Sequence, residues 1–120
     1  MLLKTYFMKF FVDFFQLSPW KPGTVLAIGL EGTPQLESVN SVCTSSQQWT
    51  MKGDQIVNAK TGQPLLAHGI SSWEMVPHEK KENSFYIKMA GTKSNKHYLR
   101  VGKGQKLDVK KKYEWVVTMI

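Results

Sequence analysis

The sequence predicts an all-β domain built from three related units. Trp49, Trp73 and Trp115 each occupy a short run with strand character, and each run follows a short apolar segment, at residues 24–28, 64–67 and 98–101. No long stretch shows the apolar spacing of a helix, whereas Gly, Asn and Ser interrupt β-branched and aromatic runs throughout. Repetition of one pattern indicates a single supersecondary unit used three times.

The N-terminal segment differs from the rest of the chain. Its first 17 residues are rich in phenylalanine, but Lys4, Lys9 and Asp13 interrupt them and no Ala-x-Ala motif follows. A secretion signal or a membrane-spanning helix requires a longer apolar run. We therefore expect an atypical segment over residues 1–22, either a first strand or a leader, and a folded domain over residues 23–120.

The first unit is expected to open with a strand inside residues 6–15 and to turn at residues 19–23. Thr24–Ile28 follows as a short apolar strand. Trp49 then begins a hairpin that turns at residues 52–54 and returns through residues 55–58. Gly53 supplies the positive φ that a tight hairpin turn requires.

The later units repeat this plan with one difference. After a turn at residues 60–62, Leu66 and Trp73 are only 7 positions apart, whereas Leu26 and Trp49 are 23 apart and Leu99 and Trp115 are 16 apart. The middle unit is therefore predicted to lack a strand. In the third unit, residues 85–89 alternate apolar and polar side chains, Leu99 and Val101 are expected to face inward, and Tyr98 and Arg100 outward. Three such units close a barrel, which removes exposed sheet edges.

Length and charge restrict the possible functions. The chain has 120 residues, 42% of them hydrophobic, enough for one domain with one core. Cys43 is the single cysteine, so an internal disulfide is excluded, and we interpret it as a half-buried apolar residue. The net charge of +7 arises entirely after residue 84, where nine basic residues face two acidic ones. This asymmetry indicates an anion-facing surface in the third unit.

Residues 23–115 resemble the ricin B-type lectins, and in particular their small fungal single-domain members. The resemblance rests on Gly23–Ile28, the Gln47-Gln48-Trp49 motif, Ile56-Val57-Asn58, residues 61–65, and the stretches around Tyr86 and Tyr98. It implies a β-trefoil with three pseudo-repeats, the middle one shortened. It also implies that Trp49, Trp73 and Trp115 pack in the core, and that the chain binds a glycan or glycoprotein.

The resemblance also indicates candidate sugar-binding residues. Family pockets pair a carboxylate, which accepts hydrogen bonds from sugar hydroxyls, with an aromatic platform. The carboxylate position falls on Ala27, on Leu66 or Ala67, and on Arg100, none of which accepts a hydroxyl proton, and the platform region 35–40 contains no aromatic residue. The candidates that remain in the first unit are Glu31, Asn40, Ser46 and Gln47.

The basic residues of the third unit predict a refinement, in which the ligand is an anionic glycan or another anionic polymer. Such binding depends on Coulomb attraction and counterion release, and it weakens steeply with salt. The candidate anion-binding residues are Lys96, Arg100, Lys103, Lys106, Lys110, Lys111 and Lys112.

Other functions remain alternatives. A trefoil also serves as a protein-binding scaffold such as a protease inhibitor, with the polar loop at residues 30–46 as the presenting element. The basic third carries no recognisable nucleic-acid signature, so no specific nucleic-acid partner is predicted. The three histidines lack metal-ligand spacing, and neither a catalytic grouping nor a cofactor motif is present. We expect a cytoplasmic protein that is not an enzyme and has no transmembrane segment, with secretion as the alternative location.

Overall fold

Ten short strands and two 3₁₀ turns account for the regular structure of residues 13–39 and 43–120, the part of the chain that the computed structural model describes. The 3₁₀ turns cover Ser45–Gln47 and Lys103–Gln105. The strands are β1 (Phe15–Pro19), β2 (Thr24–Ile28), β3 (Pro34–Ser38), β4 (Trp49–Lys52), β5 (Gln55–Asn58), β6 (Trp73–Pro77), β7 (Ser84–Met89), β8 (Tyr98–Val101), β9 (Leu107–Lys110) and β10 (Glu114–Met119).

The strands group into the three expected units. We define the first unit as β1–β4, the middle unit as β5 and β6, and the third unit as β7–β10. Where the other units have a β-hairpin, the middle unit has two isolated bridges, Val57 with Pro64 and Ala67 with Ile70. The predicted shortening is confirmed, and the strand expected over residues 64–67 is reduced to these bridges.

Antiparallel pairing joins the units into one curled sheet. Its order is β5-β4-β1-β10-β7-β8-β9, with β6 also paired to β7, while β2 and β3 form a separate hairpin. The first and third units use the same register: Phe15 pairs with Trp49, and Phe85 pairs with Trp115. Since side chains alternate along a strand, this register directs the aromatic residues of both units into one core.

The core contains the three tryptophans, whose exposed fractions are 0% for Trp49, 1% for Trp73 and 0% for Trp115. A buried indole N–H needs an acceptor. Each Nε1 donates to a backbone carbonyl of its own unit, and the three equivalent bonds are Trp49 to Leu26 at 3.0 Å, Trp73 to Leu65 at 2.9 Å and Trp115 to Leu99 at 2.9 Å. The same bond in every unit fixes the pseudo-threefold arrangement, including that of the shortened unit.

The opening strand lies later than its expected position. β1 covers Phe15–Pro19 and pairs with β10 along its whole length, from Phe15 with Met119 to Pro19 with Trp115. Residues 6–12 of the expected range lie outside the described part of the chain. β1 belongs to the sheet although it lies before residue 22. The domain boundary at residue 22 stays a prediction.

Two other expectations were wrong. The loop expected over residues 30–46 contains β3, which pairs with β2 over five residues, from Thr24 with Ser38 to Ile28 with Pro34. Leu36 is the single aliphatic side chain of that strand, so its sequence pattern is weak. Tyr98 was expected to face solvent, but it is only 6% exposed, because the Tyr86 ring packs edge-on against it with centroids 6.2 Å apart.

Within the described residues, no helix has the length and apolarity needed to cross a membrane.

Candidate functional site

A polar cluster on the first unit is the best-organised candidate site. Gln47 is 1% exposed, and its Nε2 donates to Glu37 Oε1 at 3.1 Å. Gln35 Nε2 donates to Glu37 Oε2 at 3.2 Å, and Gln16 Nε2 donates to Gln47 Oε1 at 3.5 Å. We call Gln16, Gln35, Glu37 and Gln47 the glutamine–carboxylate cluster. Each oxygen of the Glu37 carboxylate accepts one amide hydrogen and keeps capacity for a further donor.

Local structure explains why these side chains meet. Alternation along β3 places Gln35 and Glu37 on one face and Leu36 on the other, where Leu36 packs against the core. Gln47 ends the 3₁₀ turn that precedes Trp49. The buried Asn58 holds this turn, because its Nδ2 donates to the Ser46 carbonyl at 3.0 Å.

A glycine makes room for the cluster. In the turn between β2 and β3, the Gly29 N–H donates to the Thr33 carbonyl at 2.8 Å. A Cβ at Gly29 would lie 2.8 Å from Gln35 Oε1, closer than van der Waals contact allows. Glycine therefore permits Gln35 to lie over the turn and to reach Glu37.

The third unit places an ion pair at the equivalent position. Ala27 pairs with Gln35 in the first unit, and Arg100 pairs with Asp108 in the third. Arg100 Nη2 donates to Asp108 Oδ2 at 3.1 Å, and Arg100 Nε lies 2.7 Å from Asp108 Oδ1 without the alignment of a hydrogen bond. Both side chains are largely buried, at 30% and 20% exposure. The guanidinium is therefore largely neutralised within the protein.

The predicted sugar-binding residues fall in different places. Ser46 and Gln47 are neighbours in the 3₁₀ turn, and Ser46 Oγ is 2.9 Å from Thr44 Oγ1. Glu31 is exposed at the tip of the β2–β3 turn, beside a cleft of ≈ 320 Å³ shared with Lys60 and Thr61. Asn40 lies outside the described residues. The structure thus joins Ser46 to Gln47 and places Glu31 at the far end of the hairpin.

Apart from Arg100, which pairs with Asp108, the predicted anion-binding residues divide into two groups. Lys103 and Lys106 belong to the turn between β8 and β9. At the opposite end of that hairpin, Lys96 precedes β8, whereas Lys110, Lys111 and Lys112 close β9 and follow it. Strands of this length separate the two ends by about 10 Å. We call Lys96, Lys110, Lys111 and Lys112 the basic end of the third unit.

Aromatic side chains lie beside the basic end. Lys112 Nζ is 4.9 Å from the centroid of the Tyr86 ring, and His78 packs on the same ring at 5.5 Å. Burial raises the pKa of Tyr86, and the carboxylates of Glu79 and Glu114 raise it further. Burial also raises the pKa of Tyr113, against a lowering by Arg100. Both phenols are therefore neutral hydrogen-bonding groups at physiological pH.

Glu114 organises the polar edge of this region. Its carboxylate accepts hydrogen bonds from Lys81 Nζ at 3.2 Å and from Ser84 Oγ at 3.1 Å, and His78 Nε2 lies 3.9 Å from Oε1.

Among the residues that the structure describes, no three His, Cys, Asp or Glu side chains are grouped as a metal site requires.

Sequence reasoning missed three members of the glutamine–carboxylate cluster: Gln16, Gln35 and Glu37. Glu37 lies inside the segment interpreted as a loop, where it carried no strand pattern. The available signal was the alternation Gln35-Leu36-Glu37, which is polar, apolar, polar. Gln16 had no local signal, because its contact with Gln47 spans 31 residues.

Comparison with known proteins gives a structural relationship. No protein-family profile and no curated protein matches the chain. The ricin B-like lectin of Macrolepiota procera, solved in complex with lactose, matches 90% of this chain and 96% of its own, with a TM-score of 0.66 and 17% identity. The predicted resemblance is confirmed at the level of the fold. The three units around the buried tryptophans give the chain the β-trefoil fold of the ricin B-like lectins, with the middle unit shortened.

Proposed function

We propose that the protein binds carbohydrate through the glutamine–carboxylate cluster of the first unit. The observation that carries this proposal is the orientation of Glu37 by a buried amide, that of Gln47. A carboxylate that is fixed before the ligand arrives loses little side-chain entropy on binding. Its free lone pairs accept hydrogens from adjacent sugar hydroxyls, and Gln35 presents a further amide hydrogen at the same edge.

The fold supports the same class of ligand. The Macrolepiota procera lectin, with which the chain shares its fold, was solved with lactose. In this chain the β2 position opposite Gln35 holds Ala27, which has no carboxylate. The carboxylate of the proposed first-unit site is therefore that of Glu37, in β3. Recognition therefore depends on hydrogen bonds more than on aromatic stacking.

A finer proposal concerns the charge of the glycan. The basic end contributes Lys96, Lys110, Lys111 and Lys112, which are exposed, and it borders the half-buried ring of Tyr86. A sulfated or uronic-acid glycan matches this combination, because its charge meets the lysines while its ring contacts an aromatic face. Arg100 contributes little to such binding, since Asp108 already pairs with it.

A glycan array with neutral, sulfated and uronic-acid glycans, read at low and high salt, tests both levels of the proposal. We expect signals from neutral glycans that Glu37→Gln removes, because this variant alters the glutamine–carboxylate cluster and leaves the basic end intact. The matched control Glu82→Gln, at an exposed carboxylate in the β6–β7 turn, should leave them intact. Signals that fall steeply with salt support the anionic ligand. An array on which folded protein gives no signal refutes the carbohydrate proposal, and salt-independent signals refute the anionic refinement.

A further inference from the structure

The shortened middle unit opens a cleft between the three units. The first and third units close their hairpins with equivalent five-residue turns, held by the Gly29 N–H to the Thr33 carbonyl at 2.8 Å and the Gly102 N–H to the Lys106 carbonyl at 2.6 Å. The middle unit has a tighter turn, in which Ala67 and Ile70 exchange backbone hydrogen bonds of 3.0 and 2.9 Å. Because this turn is shorter and lacks a hairpin, it leaves space beside its neighbours.

That space is a cleft of ≈ 330 Å³ to which every unit contributes. Its volume lies at the lower end of the range of small-molecule sites. We call it the cap cleft, and its lining residues are Pro34 and Gln35 from the first unit, Leu66, Ala67 and His68 from the middle unit, and Gln105, Lys106 and Leu107 from the third.

The charge of the cap cleft is one-sided. Lys106 carries a positive charge, His68 is the other titratable group, and none of the lining residues that the structure describes is acidic. His68 Nε2 lies 3.4 Å from the Leu107 carbonyl, which joins the middle and third units and leaves Nδ1 for a ligand. A cation that borders a cleft without a lining carboxylate favours an anionic ligand.

The apolar part of the cleft is exposed. Leu66 is 54% exposed, and Pro34 and Leu107 add apolar surface to the lining. Apolar side chains beside a few polar groups are typical of small-ligand sites. An apolar wall contacts the C–H edge of a small ring while the polar rim contacts its substituents.

Two backbone conformations in the lining are costly. His68 has φ 50° and Gln105 has φ 63°, so two of the three non-glycine residues with positive φ in the described chain border this one cleft. Glycine adopts such angles more easily. Side chains kept at strained positions tend to mark functional sites, and here both have polar groups at the cleft.

From this geometry we propose that the cap cleft binds a carboxylate-bearing ligand of about monosaccharide size, such as a uronate. The carboxylate contacts Lys106, ring hydroxyls contact His68 and Gln105, and the C–H edge lies against Leu66. The site shares Gln35 with the glutamine–carboxylate cluster but includes neither Glu37 nor Gln47, and the β8–β9 hairpin separates Lys106 from the basic end.

Nuclear magnetic resonance titration of the ¹⁵N-labelled full chain with glucuronate, and in parallel with glucose, tests the proposal. We expect glucuronate to shift the amide signals of residues 66–68 and 105–107, and glucose to shift them far less. Lys106→Gln should weaken glucuronate binding by about tenfold, as expected for loss of a charged hydrogen bond. Lys111→Gln removes the same charge at the other end of the hairpin and should not weaken it. Leu66→Trp should block the cleft.

A second measurement separates binding from architecture. His68→Gly relieves the positive φ, so we expect a higher melting temperature together with weaker glucuronate binding. A higher melting temperature with unchanged binding would refute the role of His68. The whole proposal fails if glucuronate causes no shifts, if its shifts are confined to residues 110–112, or if glucose is equally effective. Glu37 does not line the cap cleft, and glutamine in its place keeps an oxygen that can accept from Gln35, so we expect Glu37→Gln to leave these shifts unchanged. Failure of this proposal is therefore distinguishable from failure at the first-unit site.

Discussion

The first and third units build the same hairpin and use it differently. In the first unit, Ala27 faces Gln35, and the carboxylate of Glu37 stays available beside them. In the third unit, Arg100 faces Asp108 and the two charges satisfy each other. Each hairpin turns at a glycine, Gly29 or Gly102, that lies against the polar residue of the second strand.

The difference shows that the residues that stabilise the fold and the residues that vary between the two hairpins occupy separate positions. Both units bury a tryptophan whose indole donates to the first strand of the hairpin, β2 or β8, so the two units share one architecture. The first-strand position that pairs with Gln35 or Asp108 takes no part in that hydrogen bond, so its residue type differs between the units. In the first unit this position holds Ala27, which is buried and uncharged, whereas in the third unit Arg100 pairs with the neighbouring Asp108 carboxylate.

Removing a core tryptophan from either unit should have the largest effect. We expect Trp49→Ala and Trp115→Ala each to lower the free energy of unfolding by about 3–5 kcal/mol, as for other buried aromatic residues. Equal losses in urea unfolding would confirm that the two units are equivalent in the core. Trp20→Ala is the control, since Trp20 is 52% exposed, and it should cost under about 0.5 kcal/mol. A cost for Trp20→Ala as large as the other two would contradict this view.

Breaking the ion pair should distinguish the two units. Asp108→Ala leaves Arg100 partly buried without its partner, and we expect a loss of about 1–3 kcal/mol, reduced from the fully buried case by partial exposure. Gln35→Ala, at the equivalent first-unit position, should cost about 1 kcal/mol or less, because it removes a neutral side chain from an exposed hydrogen bond.

A double variant, Arg100→Ala with Asp108→Gln, transfers the first-unit residues to the third unit. Thermal unfolding should show that it recovers most of the stability lost in Asp108→Ala, because no unpaired charge remains. If the double variant were less stable than Asp108→Ala, the Arg100 side chain would be stabilising the unit even without its partner carboxylate.

The two turn glycines should respond unequally to alanine. A Cβ at Gly102 would collide with Asp108 Oδ2, which the ion pair holds in place, and would lie 3.4 Å from the Lys106 carbonyl. At Gly29 the clash involves only the side chain of Gln35, which is exposed and, within the described residues, held by a single neutral-donor hydrogen bond to Glu37. We expect Gly102→Ala to destabilise by about 1–3 kcal/mol and Gly29→Ala by under about 1 kcal/mol in denaturant unfolding. Equal costs would show that Gln35 is held as firmly as Asp108.

Alkaline titration should give the smallest effect. Burial raises the pKa of Tyr113, against the influence of Arg100, and burial with nearby carboxylates raises the pKa of Tyr86. The folded protein therefore holds these phenol protons more tightly than the unfolded chain does. This contribution to stability is fully present below the ordinary tyrosine pKa of about 10 and is lost as the pH rises through the raised values. Ultraviolet absorbance of phenolate should show Tyr113 of Arg100→Ala ionising at higher pH than in the parent protein. An unchanged titration would mean that Arg100 does not influence the phenol.

Much of the architecture was predictable from particular residues. Trp49, Trp73 and Trp115 with their preceding apolar runs gave the three units, and the short spacing before Trp73 gave the reduced middle unit. The strand containing Glu37 was missed, because Leu36 alone provides too little apolar alternation. Tyr98 was wrongly expected to face solvent, because the residue that covers it, Tyr86, lies on the neighbouring strand β7.

By itself, the sequence determined the all-β class, the threefold repeat and the basic charge of the third unit, since these depend on local periodicity and composition. Only the tertiary structure decided which polar residues meet. The contacts of Gln16 with Gln47 and of Gln47 with Glu37 link side chains 31 and 10 positions apart. The cap cleft likewise exists only where the three units converge. Local pattern encodes which face of a strand is buried, whereas strand register and the packing of hairpins determine which polar groups share a site.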